Sequence, residues 1–148
     1  MTNQLETHDM METIAELCGQ YGVVSLYLFG SQAKSVWDQV RTGKPVSLLA
    51  GHDLDVGVKS RPNHKLGTKG KVNLAQDLEE VFGAPRVDLV CLEDADPFLA
   101  ANIIRGERLY AADAYAADEY ELYILRRAGD LAPFERARLD MILEGQQT

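Results

Sequence analysis

Val23-Val24-Ser25-Leu26-Tyr27-Leu28-Phe29-Gly30-Ser31 is a run of β-branched, aliphatic and aromatic residues halted by a glycine and a serine. That is the pattern of a buried strand ending in a tight turn. Glycine lets the backbone approach a ligand closely, and the amides that open a following helix attract phosphate. Downstream, His52-Asp53-Leu54-Asp55-Val56 and Val87-Asp88-Leu89-Val90 put three carboxylates inside apolar runs that also read as strands. Residues two apart on a strand share a face, so Asp53 and Asp55 can grip one cation while Leu54, Val56 and Val58 turn to the core. Asp88 has apolar neighbours on both sides, which predicts a central strand and a buried acid. A buried carboxylate is costly unless it is paired or ligates a metal. Three of them therefore call for a divalent cation, with Arg86 or backbone amides as the alternative partners of Asp88.

Outward from these runs, Leu5, Met10 or Met11, Ile14, Leu17 and Cys18 recur at helical spacing, predicting an opening helix to about residue 19. A short helix is expected from Gln32 to about Trp37, then a loop or hairpin tip over 38–45 marked by Gly43 and Pro45. Val46 to Val58 carries the DxD strand, with residues 47–50 either extending it or belonging to an insertion. Arg61 to Gly70 reads as a loop or a frayed helix start. Val72, Leu74, Ala75, Leu78, Val81 and Phe82 then follow at helical spacing up to Gly83. After the strand from Arg86 to Leu92, Asp96-Pro97 is a helix start, an N-cap followed by proline at the first helical position. Arg108-Leu109-Tyr110 is expected to be a short edge strand. Ala114–Arg127 and Pro133–Glu144 are expected to be helical, with a break near Gly129-Asp130, Leu131 and Pro133.

The 148 residues fit one domain, 1–148, with a core over about 1–112 and a helical C-terminal segment over about 113–148. A hydrophobic fraction of 46% and a charged fraction of 26% exclude disordered and fibrous classes. The net charge of −8 argues against long nucleic acid, which is gripped through basic surfaces, but leaves room for a small anion held by local cations. Cys18 and Cys91 lie far apart in apolar surroundings and read as buried free thiols. No apolar run approaches a membrane span, and the N-terminus lacks signal-peptide character, so a cytoplasmic location is expected. His8 and His64 belong to no constellation, and His52 reads as a loop residue beside the DxD. Tyr110, Tyr115, Tyr120 and Tyr123 are spaced as core or interface residues.

In combination, strand, Gly-Ser turn, short helix, DxD strand, helix and third-carboxylate strand resemble the minimal nucleotidyltransferases of the DNA polymerase beta-type superfamily. Leu28-Phe29-Gly30-Ser31-Gln32-Ala33-Lys34 is similar to the family's GSxA turn, Asp53-Leu54-Asp55 to its DxD, and Val87-Asp88-Leu89-Val90 to its third carboxylate strand. The stretch from Ala95-Asp96-Pro97 through Gly106-Glu107-Arg108-Leu109-Tyr110 is similar to the segment that closes such domains. The resemblance implies an α/β (α+β) fold, a small mixed sheet flanked by helices, with C-terminal helices. It implies two magnesium ions held by Asp53, Asp55 and Asp88, these same residues being catalytic. ATP would be the donor, its phosphates held by Gly30, Ser31 and Lys34. Glu119 to Asp130 resembles the tail of antitoxins that transfer AMP to a tyrosine of a HEPN-domain toxin, implying such a partner. Two readings stand beside it: a fold that masks a toxin by contact with little catalysis, and a nucleotidyltransferase for a small metabolite or antibiotic. The chain departs from the family in the long stretch Gln32 to His52 between turn and DxD, and in Ser35 where a glycine is usual. Self-association is left open.

Overall fold

The structure, a computed structural model, describes residues 3–44, 46–48 and 52–146. In chain order its elements are α1 (Asn3–Tyr21), β1 (Val23–Phe29), α2 (Ala33–Thr42), β2 (Leu54–Ser60), α3 (Thr68–Phe82), β3 (Val87–Cys91), a single 3-10 turn (Leu92–Asp94), α4 (Pro97–Ile104), β4 (Glu107–Ala111) and α5 (Ala114–Gln146). The four strands form one mixed sheet in the order β3-β2-β1-β4, with β1 antiparallel to both neighbours and β2 parallel to β3. This is the small mixed sheet flanked by helices that the sequence implies.

Strand alternation builds two cores. Leu26 and Leu28 of β1, with Leu54, Val56 and Val58 of β2, pack with Ile14 and Cys18 of α1, Val36 and Val40 of α2, and Leu74, Leu78 and Phe82 of α3. Tyr27 and Phe29 point the other way and pack with Ala100, Ala101, Ile103 and Ile104 of α4 and Ile124 and Ala128 of α5. Gly57 marks the close approach of α4: a Cβ there would run into the Ile103 side chain. Asp96 caps α4 as expected, its carboxylate accepting from the amides of Phe98 at 2.9 Å and Leu99 at 3.0 Å. Arg108 ties β4 to α5, its Nη1 donating to Glu121 at 2.6 Å and Asp118 at 2.8 Å.

Several expectations need correction. Helix α2 runs on to Thr42 instead of stopping near Trp37, because Val36 and Val40 both face the core and the polar residues between them are its solvated side. The extra residues before the DxD thus lengthen a helix, with no hairpin among those described. The side-chain amide of Gln39 pins the segment beyond α2, its Oε1 accepting from the Ser47 amide at 2.6 Å. Residues 46–48 are irregular and β2 starts at Leu54, while 49–51, part of the stretch that could have extended the strand, lie outside the described residues. Helix α3 starts at Thr68, so Gly70 is helical. Helix α5 continues through Gly129 and Pro133 where a break was expected: the proline removes one backbone hydrogen bond, and intact turns on both sides carry the helix across. Finally, β3 is an edge strand and not a central one. Its apolar run reflects cover on both faces, with Val87 and Leu89 against the α1–α3 side and Val90 against the α4–α5 side.

Candidate active site

The end of β1 and the starts of β2 and β3 lie at one end of the sheet. Phe29 pairs with Asp55, and Asp55 in turn pairs with Asp88 in the parallel register of β2 and β3. Asp53 precedes β2 by one residue. Gly30 follows Phe29 with φ +79°, a left-handed conformation that disfavours side chains. A Cβ at Gly30 would strike the Asp55 carboxylate, with Asp55 Cγ only 3.3 Å away. The Gly-Ser turn and the DxD, separated in sequence, therefore share one small volume, with Asp88 on the neighbouring strand.

These carboxylates are not buried as expected. The side chains of Asp53 and Asp88 are 37% and 41% exposed, lying at the end of the sheet where β2 and β3 begin. Arg86 stands between these two, its Nε 3.3 Å from Asp88 Oδ1 and 3.8 Å from Asp53 Oδ2. Asp55 forms no hydrogen bond or ion pair among the described residues. Its carboxyl is held above the usual carboxylate range, first by burial and then by the charges of Asp88 and Asp53. Among the described residues no three acidic, imidazole or thiol groups are gathered closely enough to cage an ion. Even so, the oxygen-only donors of Asp53, Asp55 and Asp88, two of them sharing Arg86 and the third unpaired among the described residues, are the hard donor set that magnesium or calcium takes, so these residues fit such a cation.

On the other side of Gly30, Ser31 is exposed and accepts a long hydrogen bond of 3.4 Å from Gln32 Nε2. Helix α2 begins here with no side-chain cap, and Lys34 is exposed in its first turn. A cavity of about 410 Å³ adjoins the turn, lined by Phe29, Gly30, Ala33, Lys34, Asn102, Arg105, Gly106 and Glu107. The structure thus brings Gly30 and Lys34 to one cavity and leaves Asp53, Asp55 and Asp88 along the sheet end beside it. Sequence reasoning missed Asn102 and Arg105, which lie at the C-terminal end of α4, and their alignment with the turn depends on the β1–β4 pairing that no local pattern reveals.

The polymerase beta nucleotidyltransferase family model matches residues 12–115, most of the chain and every element from β1 to β4. The chain belongs to that family. Among solved structures, this nucleotidyltransferase is similar to a chain of a toxin–antitoxin crystallised with AMP-PNP, at 20% identity and a TM-score of 0.69, covering 90% of this chain and 98% of the other. It is also similar to a chain of the tri-AMPylated Shewanella oneidensis HEPN toxin in complex with MNT antitoxin, at 19% identity and TM-score 0.64, covering 96% and 99%. A chain of the MntA–HepT toxin–antitoxin gives 20% identity and TM-score 0.64, covering 95% and 98%. At such identities the likeness is one of fold. A search of curated proteins finds no match. Among the described residues no helix is long and apolar enough to cross a membrane. Cys18 and Cys91 are free and buried, as the sequence predicts. His52 is exposed outside any helix or strand. Of the tyrosines read as packing residues, Tyr110 and Tyr120 pack against the cores, whereas Tyr115 and Tyr123 are exposed.

Proposed function

We propose that this chain is a magnesium-dependent nucleotidyltransferase that moves AMP from ATP to a hydroxyl, a tyrosine of a HEPN-type toxin, and so acts as an antitoxin. The observation that carries the reading is the register that sets Asp55 beside Asp88 with Gly30 closed against the Asp55 carboxylate. Asp53, Asp55 and Asp88 are the residues that would hold magnesium. Bound there, the metal would neutralise phosphate charge and polarise the reacting phosphorus. Gly30, the amides opening α2 and Lys34 hold phosphate oxygens, and Ser31 donates its hydroxyl to one of them. The acceptor oxygen forms a bond to the α-phosphorus, the bond from that phosphorus to the bridging oxygen of the β-phosphate breaks, and pyrophosphate leaves. Asp88, on the open edge strand, accepts the proton of the attacking hydroxyl. Such in-line transfer needs positioning and charge stabilisation, with no covalent protein intermediate. The AMP-PNP complex and the AMPylated toxin among the similar structures support both the nucleotide and the partner class.

Labelled ATP, magnesium and the product of the neighbouring gene, incubated with this chain, test the proposal. Label on a partner tyrosine, lost in Asp53→Ala, is the expected result. Toxin neutralised without any label transfer would replace the enzyme with a masking module, and label on a small molecule would replace the acceptor.

A further inference from the structure

The groups at the end of the sheet lie in a row. Asp88 on β3 comes first, then Asp55 on β2, then Gly30 after β1, then Glu107 at the start of β4, which pairs with Leu28. The carboxylates lie on one side of Gly30 and the cavity of about 410 Å³ on the other. Two cations from different elements line that cavity, Lys34 from the first turn of α2 and Arg105 from the C-terminal end of α4. Neither side chain forms an ion pair or hydrogen bond among the described residues, although Glu107 lines the same cavity. A helix C-terminus by itself favours an arginine. Here the arginine faces the same cavity as a lysine, next to the glycine turn, in a chain of net charge −8.

We propose that Arg105 works with Lys34 to hold the phosphates that leave as pyrophosphate, making Arg105 the residue that distinguishes a triphosphate donor from a monophosphate. The inference rests on the nucleotidyltransferase reading and adds to it a residue outside the recognised motifs. Asn102, one helical turn before Arg105 on the same wall, offers an amide to the same phosphates. A guanidinium donates in a fixed fork to phosphate oxygens, and such charge-assisted bonds are about twice as strong as neutral ones.

Isothermal titration of the full chain with AMP-PNP and with AMP, each with magnesium, tests this in wild type, Arg105→Ala and Arg105→Lys. Wild type is expected to prefer AMP-PNP. Arg105→Ala should weaken AMP-PNP roughly tenfold or more while leaving AMP affinity and the ligand-free melting temperature unchanged, with partial recovery in Arg105→Lys. An Arg105→Ala protein that keeps the wild-type preference, or that loses affinity for both ligands equally, overturns the inference and leaves the nucleotidyltransferase reading intact. Wild type that binds neither ligand overturns both.

Discussion

Substituting Gly30 with alanine tests the geometry on which the site depends. Two costs arise. The first is the φ of +79°, since an alanine in a left-handed conformation loses roughly 1–2 kcal/mol. The second is the new methyl group, which meets the Asp55 carboxylate and its Cγ at 3.3 Å, so the Asp55 side chain must leave its rotamer at a cost of about 0.5–1.5 kcal/mol. The sum is about 1.5–3.5 kcal/mol, and for a chain of this size each kcal/mol lowers the melting temperature by roughly 2–4 °C. In an Asp55→Ala background the Asp55 Cβ, 3.5 Å from the new methyl, is an ordinary contact, and only the backbone cost remains. Urea melts of the four proteins at pH 7.5 without divalent ions should therefore give a coupling of about 0.5–1.5 kcal/mol between the positions. Equal costs of Gly30→Ala in both backgrounds would refute the close approach, and a stabilising Gly30→Ala would refute the backbone conformation itself.

Asp55→Asn should raise the melting temperature of the metal-free protein near neutral pH. A carboxyl with a folded pKa above its unfolded value destabilises the fold once ionised, a penalty that grows as pH rises from the unfolded value to the folded one, so the gain should shrink as pH falls toward about 4 and be absent below it. Magnesium should raise the melting temperature of wild type, by mass action on the folded state, and leave Asp53→Asn/Asp55→Asn unmoved, as scanning fluorimetry would read. Arg86→Ala should change stability by less than about 1 kcal/mol, because the Arg86 side chain is 70% exposed, yet tighten magnesium binding in a titration because one competing cation is gone. Ile103→Ala should destabilise by about 2–5 kcal/mol in chemical denaturation, Ile103 being fully buried where α4 meets Gly57.

The strands, the turn and the three acids were legible because each rests on local signals: apolar runs, a glycine stop, and alternation that turns Leu54, Val56 and Val58 inward. The position of β3 was not legible. An apolar run such as Val87–Cys91 reports how many faces of a strand are covered, and helices cover both faces here even though no strand lies beyond it. The depth of Asp53 and Asp88 was misjudged for a related reason: both stand at the sheet end, Asp53 before β2 and Asp88 near the start of an edge strand, and an apolar run does not report where a strand starts relative to its cover. In Asp38–Thr42 polarity looked like a loop, yet the spacing of Val36 and Val40 already carried the helix. Arg105 could not be found locally, because only the pairing of β1 with β4 brings the end of α4 beside Gly30.

The acidic net charge does not stand against the nucleotide binding proposed above. Net charge governs long-range attraction to extended polyanions, and −8 disfavours them. A single triphosphate is held over a few ångströms, where fixed local groups outweigh the distant field. At the sheet end, acids able to hold a cation stand at β2 and β3 with Arg86 beside them, and Lys34 and Arg105 line the cavity across Gly30 together with Glu107. With an amide-rich helix start between them, a nucleotide spanning the glycine turn meets a different charge environment at its reacting phosphorus and at its tail. Reversing the sign at either end, by Arg105→Glu or Asp55→Lys, should therefore damage nucleotide binding more than the same change in net charge made elsewhere on the surface, and an equal loss from a distant substitution would show that the global field decides.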